Sequence, residues 1–158
     1  MVGVTGGNQK IMQPNSAALR IHIYDRIADH GYVPSIAAVA AHFGADRQSI
    51  VDTLRRAGLG KTILLDPATD EIWMAGPFSG VPTRYVVTAG SRRWWANCVW
   101  DMLGVSAVIN EPTSIEAPCI DCDEILELSV GPGDTQLPEY VAHFLLPARR
   151  WYDDIGYT

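Results

Sequence analysis

Positive charge is scarce in this chain. Twelve basic side chains stand against 18 acidic ones, giving a formal net charge of −6 and a pI near 5.0. Phosphate backbones are held by concentrated cations, so this balance argues against a large nucleic-acid footprint. Long hydrophobic runs are missing as well, and no stretch approaches the roughly 20 apolar residues of a membrane-spanning helix. The first fifteen residues are mixed polar, carry Gly3, Gly6 and Gly7, and lack the apolar segment of a secretory signal, so residues 1–15 read as a flexible arm. Cysteine is rare, with three in 158 residues. An odd count without a signal argues against a disulfide framework and for a reducing cytoplasm. No repeat or low-complexity tract interrupts the chain. What is abundant is apolar side chain, at 47%, too much for a disordered polymer. The length suits one domain or two packed subdomains.

Periodicity divides the chain near residue 75. Leu19, Ile23 and Ile27 recur every four residues, so a helix is expected with Ser16 as its cap and Gly31 as its left-handed stop. A second helix is expected after Pro34-Ser35 up to Gly44, and a third from Asp46 to Gly58. Ile63–Leu65 and Ile72–Met74 flank a polar turn and read as a hairpin. Residues 16–75 therefore form a winged-helix-like three-helix region. Its DNA-binding reading, with Arg47 and Gln48 opening a recognition helix, is opposed by Asp46, Asp52 and the acidic total. Residues 76–158 begin with a Pro- and Gly-rich loop through Thr83. A short strand at Tyr85–Thr88 follows, then a helix capped by Ser91 that carries Trp94, Trp95, Cys98 and Trp100 to a stop at Gly104. Strands are expected at Ser106–Ile109, Thr113–Ala117, Ile125–Val130 and Tyr140–Leu146, with a turn at Gly131–Asp134. The fold class is α+β, the three helices packed on a mostly antiparallel sheet core with one cysteine-bearing helix.

Cys98 and Asp101 carry the first chemical signal. Three residues apart on a helix they share a face, so a thiol and a carboxyl can exchange a proton. A negative neighbour raises a thiol's pKa, so Asp101 suits a proton carrier for a sulfur deprotonated by metal coordination better than an activator of Cys98. A buried structural cysteine beside a surface aspartate is the bland alternative. Cys119 and Cys122 form a C-x-x-C, which is half of a tetrahedral zinc site or a redox pair, expected on a knuckle between two strands. A second such pair is lacking, so a closed four-ligand site requires Cys98 or a distant histidine. His22, His30, His42 and His143 have no mutual metal spacing, and His143 alone, inside an apolar run, is kept as a candidate. Arg149-Arg150 and Asp153-Asp154 suit ion pairs, and Trp151 and Tyr152 are expected to pack back on the core.

Three segments, Pro77–Thr83, Trp94–Asp101 and His143–Asp154, resemble the organomercurial (alkylmercury) lyase family, and the likeness extends over roughly residues 16–158. It implies protonolysis of a carbon–mercury bond, with Cys98 as the first catalytic cysteine and Asp101 as the catalytic aspartate. No organic cofactor is implied; mercury is substrate and product ion, and a thiol donor releases it. Mercury is soft and prefers thiolate, and sulfur donation loads charge onto the carbon that is then protonated. The resemblance also implies a second catalytic cysteine just beyond the Trp151–Thr158 stretch, which this sequence does not contain. Cys119 or Cys122 is the expected substitute if the knuckle folds over Cys98; otherwise turnover is expected to be slow or absent. A non-catalytic protein binding mercury, copper or zinc through Cys98, Cys119 and Cys122 is the alternative, and a winged-helix sensor of such an ion is a third reading.

Overall fold

The structure is a computed structural model that describes residues 15–56, 62–133 and 140–156. Residues 1–14 of the expected arm, the stop at Gly58 and the end of the turn at Asp134 lie outside the described residues, and the arm's last residue, Asn15, belongs instead to the start of the first helix. Three helices come first: α1 (Ser16–His30), α2 (Ile36–Phe43) and α3 (Arg47–Arg56). Leu19, Ile23 and Ile27 are fully buried, as their spacing requires. The cap of α1 is Asn15 rather than Ser16: its side chain accepts the Ala17 N–H at 2.8 Å, because the amide oxygen reaches one residue earlier in the chain. Ser35 caps α2, and Asp46 accepts the Ser49 N–H at 2.8 Å before α3.

A three-stranded antiparallel sheet follows, made of β1 (Ile63–Leu65), β2 (Ile72–Ala75) and β3 (Phe78–Ser79). Asp66 organises the β1–β2 turn by accepting the Ala68 and Thr69 amides at 2.7 and 3.0 Å. That turn also anchors the helices. Glu71 accepts the Ile36 N–H at the start of α2 at 2.8 Å, and Arg47 reaches Glu71 at 3.1 Å. Arg55 is paired with Asp70. Arg47 and Gln48, offered as the opening of a DNA-reading helix, are thus engaged within the chain, Gln48 by donating to Asp52 at 2.8 Å.

The second sheet has the order β5-β4-β6-β7, all antiparallel, from β4 (Val86–Ala89), β5 (Arg92–Trp95), β6 (Thr113–Pro118) and β7 (Ile125–Val130). Here the structure corrects two expectations. Arg92–Trp95 is a strand, not the opening of a helix, and pairs with β4 across a turn at Gly90 and Ser91. Aromatic side chains suit a pleated surface, and a four-residue segment with two adjacent tryptophans does not fix the period. The cysteine-bearing helix α4 (Val99–Ile109) starts only after Cys98. It also continues through Gly104 and absorbs the strand expected at Ser106–Ile109, ending at Asn110 in the left-handed conformation. Pro77 lies against Gly104, where a Cβ would come within 3.0 Å of it, so the glycine serves close packing rather than termination. The strand expected at Tyr140–Leu146 is not formed; residues 140–147 run irregularly into a 3-10 turn at Ala148–Asp153.

The two sheets and α1 share one core. A bridge between Phe78 and Ala96 links the sheets, and the buried Trp94 donates its indole N–H to the Ile27 carbonyl at 2.7 Å. Gly31 terminates α1 at φ 79°, and a Cβ there would meet the Arg93 carbonyl at 2.8 Å. No other residue suits both demands. Among the described residues no helix is long and apolar enough to cross a membrane.

Candidate active site

The passage from β5 to α4 positions the chemistry. Because the strand ends at Trp95, Cys98 falls at the N-cap of α4 with extended backbone, and Asp101 lies in the first helical turn. The helix start thus presents a sulfur and a carboxyl group together, at the end where backbone N–H groups favour negative charge. Both groups line a cavity of about 290 Å³. Its walls come from β1 and β2 (Leu64, Met74), from Gly76, from Asn97 and Trp100, and from the carboxy-terminal segment (Phe144, Trp151, Tyr152, Ile155).

Cys98 and Asp101 are both partly buried, and burial sets their charge state. Loss of water pushes the Cys98 thiol up, the Asp101 charge pushes it further, and the amides of Asp101 and Trp100 pull the other way. Burial likewise raises the Asp101 carboxyl, while Asn97 and Cys98 favour its ionised form. Asn97 donates to Asp101 Oδ2 at 3.0 Å and to the Pro77 carbonyl at 3.1 Å, so it ties the carboxylate to the loop after β2. Its own Oδ1 is buried and has no hydrogen-bond partner among the described residues. Tyr24 of α1 donates to the Gly76 carbonyl at 2.8 Å. Its phenol is raised by burial, opposed by Arg20 and reinforced by the Asp101 charge.

The structure brings Cys98 and Asp101 together and leaves the other two thiols out. Cys119 and Cys122 sit at the turn between β6 and β7 and do not line the cavity. The expected three-cysteine set is therefore not assembled, and among the described residues no cluster of three or more His, Cys, Asp or Glu side chains is arranged to hold a metal ion. The knuckle closes the ladder that runs from Thr113↔Val130 to Pro118↔Ile125, at the end of the sheet where Glu116 pairs with Val86 and Val86 with Trp95, the end from which α4 starts, yet neither thiol reaches the cavity. Cys119 differs from Cys98 in its electrostatics: the amides of Cys122 and Asp121 lower its thiol pKa. His143 is exposed on the irregular segment and does not face the cavity, and His22 and His42 are stacked at 3.7 Å between α1 and α2. Of the three tryptophans near Cys98 in sequence, Trp94 is core and Trp100 lines the cavity.

Asn97 and Tyr24 were given no role from the sequence, and Tyr152, expected to pack back on the core, is instead exposed and lines the cavity. Asn97 is adjacent to Cys98, and its spacing of four from Asp101 was the available signal, since the helix expected from Ser91 to Gly104 would have put both on one face. Tyr24 and Tyr152 come from segments distant in the chain, and only packing places them.

A thiol and a carboxyl, both raised by burial, thus stand together at a helix start, on a partly apolar cavity of an α+β scaffold. The family model described as MerB, alkylmercury lyase, matches residues 78–158, and the chain belongs to the alkylmercury lyase family. A solved structure, the mercury-bound form of MerB2, shares the fold with a TM-score of 0.58 at 20% identity, over 75% of this chain and 56% of that one. This chain therefore spans a little over half the length of that relative. A search of curated proteins gave no significant match.

Proposed function

We propose that this protein cleaves carbon–mercury bonds by protonolysis, with Cys98 as the mercury-binding nucleophile and Asp101 as the proton carrier. The observation that carries the reading is the joint placement of these two side chains, both partly buried, on one open cavity. The raised thiol keeps its proton until mercury arrives. When Cys98 sulfur bonds to the mercury of an organomercuric cation, the thiol proton passes to the Asp101 carboxylate, whose raised pKa suits it to hold that proton briefly. The Asp101 proton then goes to the carbon as the carbon–mercury bond breaks. The hydrocarbon leaves, the carboxylate is restored, and the mercuric ion remains on Cys98 until a low-molecular-weight thiol removes it. Sulfur and proton both come from the chain, so no organic cofactor enters the scheme. Trp100, Phe144 and Trp151 supply an apolar wall for the organic group. Dependence on free thiols suits a reducing compartment such as the cytoplasm.

The test is arene release from an arylmercury compound in excess thiol. The expected result is slow release by the unmodified chain, since no second thiol among the described residues lines the cavity, and none above background by Cys98→Ser. Asp101→Asn keeps mercury bound but loses turnover by about 10²–10⁴-fold, the usual weight of a positioned acid–base group. Equal arene release by Cys98→Ser and the unmodified protein would overturn the reading.

A further inference from the structure

Cys119 and Cys122 take no part in the cavity, yet the structure builds a definite turn around them. The Asp123 N–H donates to the Cys119 carbonyl at 2.9 Å, which closes one helical turn over residues 119–123. The Cys119 N–H donates to the Glu124 carbonyl at 2.7 Å and locks that turn onto the β6–β7 ladder. Asp123 adopts φ 59° to end it and is paired with Arg84 at 2.5 Å. In a helical turn, side chains three apart leave on the same face with Cβ atoms about 5–6 Å apart. The two sulfurs are therefore presented side by side, one half-buried and one exposed.

We propose that Cys119 and Cys122 form a two-sulfur site for a soft cation of low coordination number, mercuric or cuprous ion, separate from Cys98 and requiring no turnover there. Soft thiolates select such ions. Zinc requires four ligands, and no third ligand of the described residues joins the pair. A two-coordinate ion needs only the pair. The carboxylates of Asp121, Asp123 and Glu124 flank the turn, so the local charge attracts a cation and repels an anionic disulfide oxidant. The open tip of the hairpin also admits ligand exchange with a thiol complex. Loading from a mercury–glutathione complex is an exchange without redox change: two cysteine–mercury bonds form, two glutathione–mercury bonds break, and the cysteine protons leave on the released glutathione.

The experiment uses the full chain carrying Cys98→Ser, so that the catalytic sulfur is silent, titrated with mercuric chloride in excess glutathione. Sulfur–mercury charge-transfer absorption reads binding, and far-UV circular dichroism checks the fold of each variant. One ion per chain is expected. Adding either Cys119→Ser or Cys122→Ser should weaken retention by about 100-fold or more, since the second sulfur acts at the effective concentration of a short tether. In the Cys98→Ser protein itself, mercury should protect both cysteines from alkylation together. Unchanged retention in the second-site variants, protection of one cysteine alone, recovery of the pair as a disulfide under these conditions, or no uptake at all would each overturn the site.

Discussion

At the residue scale, the protein holds two kinds of thiol whose difference is physical. Cys98 is raised by burial and by Asp101, whereas Cys119 is lowered by the amides of its own turn. Iodoacetamide at neutral pH is therefore expected to label Cys119 before Cys98, with Cys98 catching up as pH rises; peptide mapping over a pH series reads the order. Asp101 makes a second prediction. Its carboxyl is raised in the folded chain, so between the ordinary carboxylate pKa and the raised one the native state holds a proton that the unfolded chain has lost. Its contribution is complete in acid and is lost as pH rises through the raised pKa. Asp101→Asn should therefore stabilise the fold near neutrality while stopping turnover, and the gain should vanish in acid; denaturant titrations at two pH values check this. Asn97 acts through Asp101 as a positioning residue. Asn97→Leu removes a donor to the carboxylate, and the acid limb of the rate profile should move to higher pH.

Helix ends decide matters at the scale of elements. The correction of the α1 cap is measurable: Asn15→Ala should cost about 0.5–2 kcal/mol in urea unfolding, while Ser16→Ala should be nearly neutral. Gly31→Ala combines a left-handed residue, at about 1–2 kcal/mol, with a Cβ driven against the Arg93 carbonyl, so it should cost more than the cap. The first three helices and the β1–β2 hairpin were legible in the sequence because each has a clear period and a punctuating Ser, Asp or Gly. The β5–α4 junction was not. Arg92–Trp95 is too short to separate a period of two from one of 3.6, and what makes it a strand is pairing with Val86–Ala89, a non-local contact. Even so, the expected closeness of Cys98 and Asp101 survives the shift, because a residue at the cap and one in the first turn still share a face.

For the molecule as a whole, the carboxy-terminal segment covers the site without joining the core. Its 3-10 turn has no buried residue, yet Phe144, Trp151, Tyr152 and Ile155 wall the cavity. Gly156 lets it lie down: a Cβ there would stand 2.6 Å from the Trp73 ring. Gly156→Val is expected to lower kcat/KM by roughly tenfold to a hundredfold, in line with an ångström-scale misplacement, while leaving the unfolding midpoint nearly unchanged. A matching loss of stability would mean that the segment belongs to the core. The sequence by itself determined the helical first half, the strands β6 and β7 and the Cys98–Asp101 pair, since each is written in local spacing that the backbone reads within a few residues, and it carried the segments by which the chain resembles its family. Tertiary structure alone decided that Cys98 caps α4, that Asn97 holds the carboxyl while Tyr24 holds the Gly76 carbonyl on the same cavity wall, and that Cys119 and Cys122 do not line that cavity. Those outcomes depend on strand pairing and on segments far apart in the chain meeting around one buried face, where the cost of removing charge from water is set by every neighbour at once.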